Sequence, residues 1–68
     1  MKTKIQQAAD YSLHIQLDQV EVTNGVRVQL MSYFDSAKNP LEPRVGIDLH
    51  MSQEEFELLR QAVNNFTV

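Results

Sequence analysis

Two histidines and an aspartate are the side chains best suited to bind a metal ion. His14 lies in one alternating stretch, and Asp48 and His50 lie two residues apart in another. Two imidazoles and a carboxylate can ligate a transition metal, but an Asp-x-His spacing has little specificity by itself. Because all three also fit solvated positions on an open sheet face, we predict no metal site.

The remaining reactive side chains show no catalytic pattern. No motif surrounds any of the serines that could act as nucleophiles, which are Ser12, Ser32, Ser36 and Ser52. Glu54, Glu55 and Glu57 are better placed to complement a helix dipole than to form a site. With two glycines in the chain, no glycine-rich loop can bind a phosphate. We therefore predict a protein that is not an enzyme and binds no cofactor.

The size of the chain indicates that it needs support from a partner. A chain of 68 residues is near the lower limit for independent folding, where a disulfide, a metal or a second subunit usually supplements the core. The sequence has no cysteine, which excludes disulfides and thiolate zinc sites. Self-association, or docking on another protein, is the remaining supplement, and we expect a homodimer.

Charge and hydropathy narrow the range of partners. The formal net charge is −3 at pH 7, which provides no general attraction to nucleic-acid phosphates or anionic membranes. No apolar run approaches the roughly 20 residues that span a bilayer, and the first ten residues lack the hydrophobic region of a signal peptide. We expect a cytoplasmic protein without membrane contact.

Alternating residues predict the first strand. Residues 1–10 are polar and are expected to form a flexible lead, and residues 11–68 a single domain. From Tyr11 to Leu17 the chain alternates apolar and polar residues, which is typical of a half-buried strand. The next apolar residues, Val20 and Val22, have even numbers, so in a regular strand they would point to the face opposite to Tyr11 and Leu17. A β-bulge near Asp18 and Gln19 would bring both sets to one side.

The turn after this strand predicts a hairpin. Asn24-Gly25 alone suggests a two-residue loop, but that register would direct the valines of the two strands to opposite faces. We therefore predict a three-residue loop, with Gly25 at positive φ. The predicted partners across the hairpin are Val22 with Val26, Val20 with Val28, Leu17 with Leu30, Leu13 with Phe34, His14 with Tyr33, and Gln16 with Met31.

A third strand and a helix complete the predicted fold. The third strand begins after Pro43 and alternates from Arg44 to Met51, with Gly46 marking a bulge or a close approach of another backbone. Ser52 and Glu55 form the capping-box pattern of a helix start, and an apolar stripe follows at helical spacing. The predicted class is α+β, a three-stranded antiparallel meander with one C-terminal helix packed on one sheet face (βββα).

The sheet face away from the helix is the candidate interface. It combines aromatic, thioether, arginine and amide side chains, types that favour protein interfaces, and it lacks lysine. Its predicted members are His14, Gln16, Arg27, Gln29, Met31, Tyr33, Arg44 and His50. An exposed strand edge, or spare apolar positions on the helix, are alternative interfaces.

Two function classes follow from these patterns. The first is a small protein-binding module, homodimeric, that acts as an accessory or inhibitory factor by covering a partner's surface. The alternative is a nucleic-acid-binding domain that uses the open sheet face and a short basic arm containing Lys2 and Lys4. The low count of cations on that face argues against the alternative.

Overall fold

The computed structural model describes residues 1–67 and shows one antiparallel sheet with a C-terminal helix. The sheet has four strands in the order β1-β2-β3-β4, so the predicted α+β class is confirmed and the predicted count of three strands is wrong. The elements are β1 (Lys2–Gln7), β2 (Tyr11–Val20), β3 (Gly25–Phe34), β4 (Arg44–Met51) and α1 (Gln53–Asn65).

The additional strand is β1, which occupies most of the segment expected to be a flexible lead. It pairs antiparallel with β2, with Thr3 opposite Ile15 and Lys4 opposite His14, and a bulge at Ile5 shifts the register. The side chains of β1 are exposed. An edge strand can be held by backbone hydrogen bonds without burying its side chains, and so it lacks the alternation by which strands are recognised in a sequence.

The β2–β3 hairpin differs from its predicted register. β2 pairs with β3 without interruption from Tyr11–Phe34 to Val20–Gly25, so the bulge predicted near Asp18 and Gln19 is absent. The connecting loop is the four residues 21–24. Val22, expected to pair with Val26, lies in this loop with its side chain 97% exposed. The loop places Val22 in solvent. Without the bulge, Val20 pairs with Gly25 rather than Val28 and lies on the face opposite to Leu17.

The helix begins where the sequence predicts. Glu55 N–H donates to Ser52 Oγ (3.1 Å), and Ser52 N–H donates to Glu55 Oε1 (2.8 Å), which confirms the capping box. These bonds satisfy two backbone donors that a helix start otherwise leaves free. Gln53 Nε2 also donates to Asn24 Oδ1 (2.9 Å) and ties the helix start to the β2–β3 loop.

The helix covers only a corner of the sheet, contrary to the predicted packing. Phe56 and Glu57 are half-buried, and every described residue from Leu58 onward is exposed. Phe56 lies against the end of the sheet near Leu17 and Val26. Among residues 1–67, the only buried apolar side chains are Val28 and Met31, which are 6% and 5% exposed. The protomer by itself has almost no closed core.

The shape of the molecule reflects this open arrangement. Its principal extents are 38 × 35 × 16 Å and its radius of gyration is 14.0 Å, compared with about 11 Å for a compact chain of this length. Within the described part of the chain, no helix is long and apolar enough to cross a membrane.

Candidate interaction surfaces

The polar face of the sheet contains most of the predicted interface residues. This polar face combines residues of β2, β3 and β4 that share one side of the sheet with two lysines of β1. Its members are Lys2, Lys4, Ser12, His14, Gln16, Asp18, Arg27, Gln29, Met31, Tyr33, Val45, Asp48 and His50. Strand pairing arranges them in rows, such as His14–Met31–Val45 and Gln16–Gln29–Asp48. Seven of the eight predicted residues therefore share one face, and Arg44 does not.

Arg44 lies on the opposite face because β4 contains a bulge. The register shifts between Leu30 and Met31, which leaves Gly46 as the extra residue of β4. One extra residue reverses the side to which the preceding residues point. Arg44 consequently packs its guanidinium 5.3 Å from the ring of Phe34, on the face that adjoins the helix, and Val45 joins the polar face opposite Met31. Of the two roles predicted for Gly46, the bulge is the one observed.

The cross-strand partners on the polar face are shifted by two residues from those predicted. His14 is opposite Met31 rather than Tyr33, and Gln16 is opposite Gln29 rather than Met31. A shift of two residues preserves the face of each side chain. His14 and Tyr33 still meet diagonally, edge to face, with ring centroids 5.0 Å apart. Met31 is buried in this arrangement and offers little area to a partner.

Lys2 is part of the polar face and is not a free arm. Its ammonium donates to the hydroxyl of Tyr33 (2.8 Å) and lies 4.8 Å from the centre of the Tyr33 ring. Lys4 is opposite His14 on the same face. The expectation of a short basic arm is therefore wrong for these two lysines, and their charges instead border the aromatic pair of Tyr33 and His14.

An ion pair crosses the polar face between β3 and β4. Arg27 donates from Nε to Asp48 Oδ1 (2.9 Å) and from Nη2 to Asp48 Oδ2 (2.6 Å), a bidentate geometry that fixes both side chains. Hydrogen bonding to Arg27 lowers the pKa of Asp48 below its ordinary value, and the same bonds raise the pKa of Arg27. This pair occupies the carboxylate that would otherwise be available to a metal or a substrate.

The three candidate metal ligands do not converge. His14 is in β2, whereas Asp48 and His50 are in β4, with β3 between them. His14 pairs with Met31, whereas His50 pairs with Arg27, four residues away on β3. An offset of about 13 Å along the strands adds to about 9–10 Å across them, which is too far for one ion to reach both histidines. Within residues 1–67 no group of three or more histidine and acidic side chains could hold a metal ion.

The opposite side of the sheet is an apolar face that solvent reaches. This apolar face consists of Tyr11, Leu13, Ile15, Leu17, Val26, Val28, Leu30, Phe34, Ile47, Leu49 and Met51, whose sides follow from the strand pairing. Ile47 and Leu49 are 45% and 48% exposed, although a helix was expected to cover them. Sequence reasoning found these residues and assigned them to the core, because alternation does not reveal which chain covers them.

The helix has an uncovered apolar surface of its own. We define the helix stripe as Phe56, Leu59 and Val63 of α1 together with Phe66, the C-cap residue that directly follows it. These residues recur at spacings of three and four. Val63 and Phe66 are 67% and 73% exposed. Phe56 is half-buried and Leu59 is 37% exposed, so the greater part of the amphipathic helix faces water.

These two surfaces together give the protomer an unusually large exposed area. Its solvent-accessible surface is 5467 Å², whereas a folded monomer of 7.8 kDa is expected to expose about 4,400 Å². The excess is about 1,100 Å², and a stable interface buries about 800 Å² on each partner. The protomer thus carries enough uncovered area for one standard interface.

The strand edges are less suitable for association than these surfaces. β1 and β4 form the two edges of the sheet, and each contains a bulge, at Ile5 and at Gly46. Bulges and charged side chains at an edge disfavour the addition of another strand. We therefore place the candidate interface on the faces and not on the edges.

Comparison with known proteins does not identify a relative. No family model, no curated protein and no solved structure matches the chain.

Proposed function

We propose that this protein is a non-enzymatic protein-binding module that works as a homodimer. The observation that carries the proposal is the apolar face, left open on a chain whose helix stripe is also uncovered. An apolar sheet face and an apolar helix stripe that both remain exposed mark an interaction site in a folded protein. A second copy of the chain is available as a partner wherever the first copy is present.

The energetic need for a partner supports the dimer. Removing apolar area from water stabilises a protein by about 25 cal/mol for each Å², and the buried apolar side chains of the described protomer are limited to Val28 and Met31. Small domains with so little core are usually completed by oligomerisation. Dimer formation would supply the burial that this chain lacks.

The distribution of charged groups supports a role other than catalysis. The pKa shifts found within residues 1–67 belong to two surface pairs, Arg27 with Asp48 and Arg60 with Glu57. Catalytic acids and bases are instead perturbed by burial and by charges inside a cleft. Both pairs are exposed, and each satisfies its own charges.

The polar face is the surface proposed for a further protein partner. If the apolar faces are buried in the dimer, the two polar faces point outward. Each presents the Tyr33–His14 pair and, further along the same strands, the Arg27–Asp48 pair, and tyrosine and arginine are enriched at protein interfaces. By covering a partner's surface through this face, the dimer would act as an accessory or inhibitory factor.

Sedimentation equilibrium over a wide concentration range tests the homodimer. We expect the mass to approach twice 7.8 kDa and to fall toward the monomer on dilution. A protomer mass at all concentrations, together with a cooperative unfolding transition, would contradict the proposal, because the chain would then be stable without the second copy.

Nucleic-acid binding remains an alternative proposal with its own test. It is favoured by the position of Lys2 and Lys4 on the polar face beside His14 and Tyr33, and opposed by Asp18 and Asp48 on the same face. Retention on a polyanion column at low salt, falling steeply as salt increases, would support it. Passage without retention would remove it.

A further inference from the structure

We propose that in the dimer each helix α1 lays its stripe on the apolar face of the other protomer. This inference rests on the proposed homodimer and specifies how the two copies fit. It makes the predicted contact between helix and sheet an intermolecular one. The packing of helix on sheet that the apolar pattern predicts then occurs between the two chains of the dimer and not within one chain.

The connection between β4 and α1 keeps the helix from covering its own sheet. Only Ser52 separates Met51, the last residue of β4, from Gln53, the first residue of α1. Ser52 is held extended by the capping box, and Gln53 is bonded to Asn24. Within these restraints only Phe56 and Glu57 become half-buried, and Leu59 and the later stripe residues stay exposed. A change in the direction of the helix relative to the sheet would have to break the Gln53–Asn24 hydrogen bond.

The dimensions of the two surfaces are compatible. A helix of 13 residues is about 20 Å long and about 10 Å wide. Strands β2 and β3 have 10 residues each, or about 33 Å, and two neighbouring strands span about 10 Å. One helix therefore fits on the apolar face beside the corner that the protomer's own Phe56 occupies. Ile47 and Leu49, the most exposed residues of the apolar face, lie in the uncovered part.

A second copy matches both uncovered surfaces at once. In a two-fold dimer the same two patches meet twice, stripe on face and face on stripe, so the assembly closes and leaves neither patch open. The central part of the apolar face and the helix stripe contain no charged residue, and Arg44 lies at the end of the face beside Phe34. Two chains of like net charge can therefore meet here without burying unpaired charges.

The absence of cysteine allows a direct test of this geometry by disulfide formation. Val63→Cys and Leu49→Cys chains are prepared separately, mixed, unfolded together, refolded and oxidised. Products are identified by intact mass. We expect the mixed Val63–Leu49 disulfide to form in preference to either symmetric product. The control is Gln29→Cys on the polar face, which should give little mixed product with Val63→Cys.

The alternative arrangements leave different products. A dominant symmetric Val63 disulfide would indicate that the helices pair with each other and would overturn the inference, although the dimer itself would stand. Mixed product from Gln29→Cys equal to that from Leu49→Cys would overturn it in the same way. If sedimentation gave only monomer, the proposed function would fail, and the helix docking would fail with it.

A charge on the stripe provides a second readout. Val63→Glu should weaken the dimer by more than about tenfold, because docking would bury an unpaired carboxylate. Val63 is 67% exposed in the protomer, so the change need not disturb the fold of the chain. Asn65→Glu adds the same charge away from the stripe and should leave the dissociation constant within about threefold of wild type. Equal dissociation constants for the two variants would overturn the inference.

Discussion

At the β2–β3 turn, Asn24 and Gly25 are required for two different reasons, one of backbone conformation and one of space. Asn24 adopts a positive φ of 54°, a conformation that asparagine tolerates better than most residues. Gly25, for which a positive φ was predicted, does not have one. It is needed for space, since a Cβ at this position would lie 2.5 Å from the carbonyl oxygen of Met51. The glycine therefore allows the end of β4 to approach β3.

Gly25→Ala should destabilise the protein by about 1–3 kcal/mol, because the backbone at Met51 would have to move away from the added methyl group. Chemical denaturation at fixed protein concentration measures the change. Gly46→Ala is the matched control, since a Cβ there would be 3.8 Å from Leu30 O, an ordinary contact. Equal stability of Gly25→Ala and wild type would show that β4 does not approach β3 this closely.

The Arg27–Asp48 pair predicts a dependence of stability on acid pH. Hydrogen bonding to Arg27 lowers the folded-state pKa of Asp48. A group with a lowered folded pKa stabilises the fold above its unfolded pKa, about 4, and this contribution is lost as pH falls through the folded pKa. Asp48→Asn should therefore be less stable than wild type at pH 7, and the difference should disappear in strong acid.

Measured free energies of unfolding between pH 2 and pH 7 test this prediction. Arg27→Gln should lose most of the same contribution, because hydrogen bonding to the guanidinium is the largest cause of the lowered pKa of Asp48, with a smaller effect from His50. A difference between wild type and Asp48→Asn that is constant over the whole range would contradict the role of the pair.

At the scale of elements, α1 is defined by its start more than by its packing. The capping box joins Ser52 and Glu55 by two hydrogen bonds, and Glu54 and Glu55 complement the positive end of the helix dipole. In contrast, Phe56 is the one stripe residue that is half-buried. Local interactions thus determine where the helix begins, and its later turns remain exposed.

Ser52→Ala should reduce the free energy of unfolding by about 1 kcal/mol, because it removes the side-chain acceptor of the Glu55 N–H. Denaturation at fixed protein concentration measures the loss. Ser36→Ala, in the exposed loop after β3, should change stability by less than about 0.5 kcal/mol. If both variants matched wild type, the cap would contribute nothing to the fold.

At the scale of the whole molecule, the exposed area relates stability to association. The solvent-accessible surface of the single chain exceeds that of a compact monomer by about 1,100 Å². Most of its apolar residues remain in contact with water. If the second copy covers this area, the folded state is stabilised by mass action, and protein concentration becomes a determinant of stability.

The melting temperature should therefore rise with protein concentration. Each tenfold increase should add about 1.4 kcal/mol per dimer to the free energy of unfolding. Differential scanning calorimetry over two decades of concentration measures the rise. Val63→Glu should show a much weaker dependence over the same range. A wild-type melting temperature that does not vary with concentration would argue against coupled folding and association.

Short-range patterns in the sequence were sufficient for several elements. The alternation from Tyr11 to Leu17 identified a strand and its two faces, and Ser52 with Glu55 identified the helix start, because each depends on residues a few positions apart. Between Tyr11 and Leu17 the predicted hairpin register was wrong by two residues, yet the side chains of this stretch kept their predicted faces.

Long-range contacts could not be predicted in the same way. β1 contains no alternation and is held by its pairing with β2. The bulge at Gly46 places Arg44 on the face opposite to the predicted one. The helix covers only a corner of the sheet. Apolar spacing indicates that a surface is to be buried. What buries that surface depends on the direction in which each connection sends the next element, and this direction is set by contacts between residues far apart in the chain.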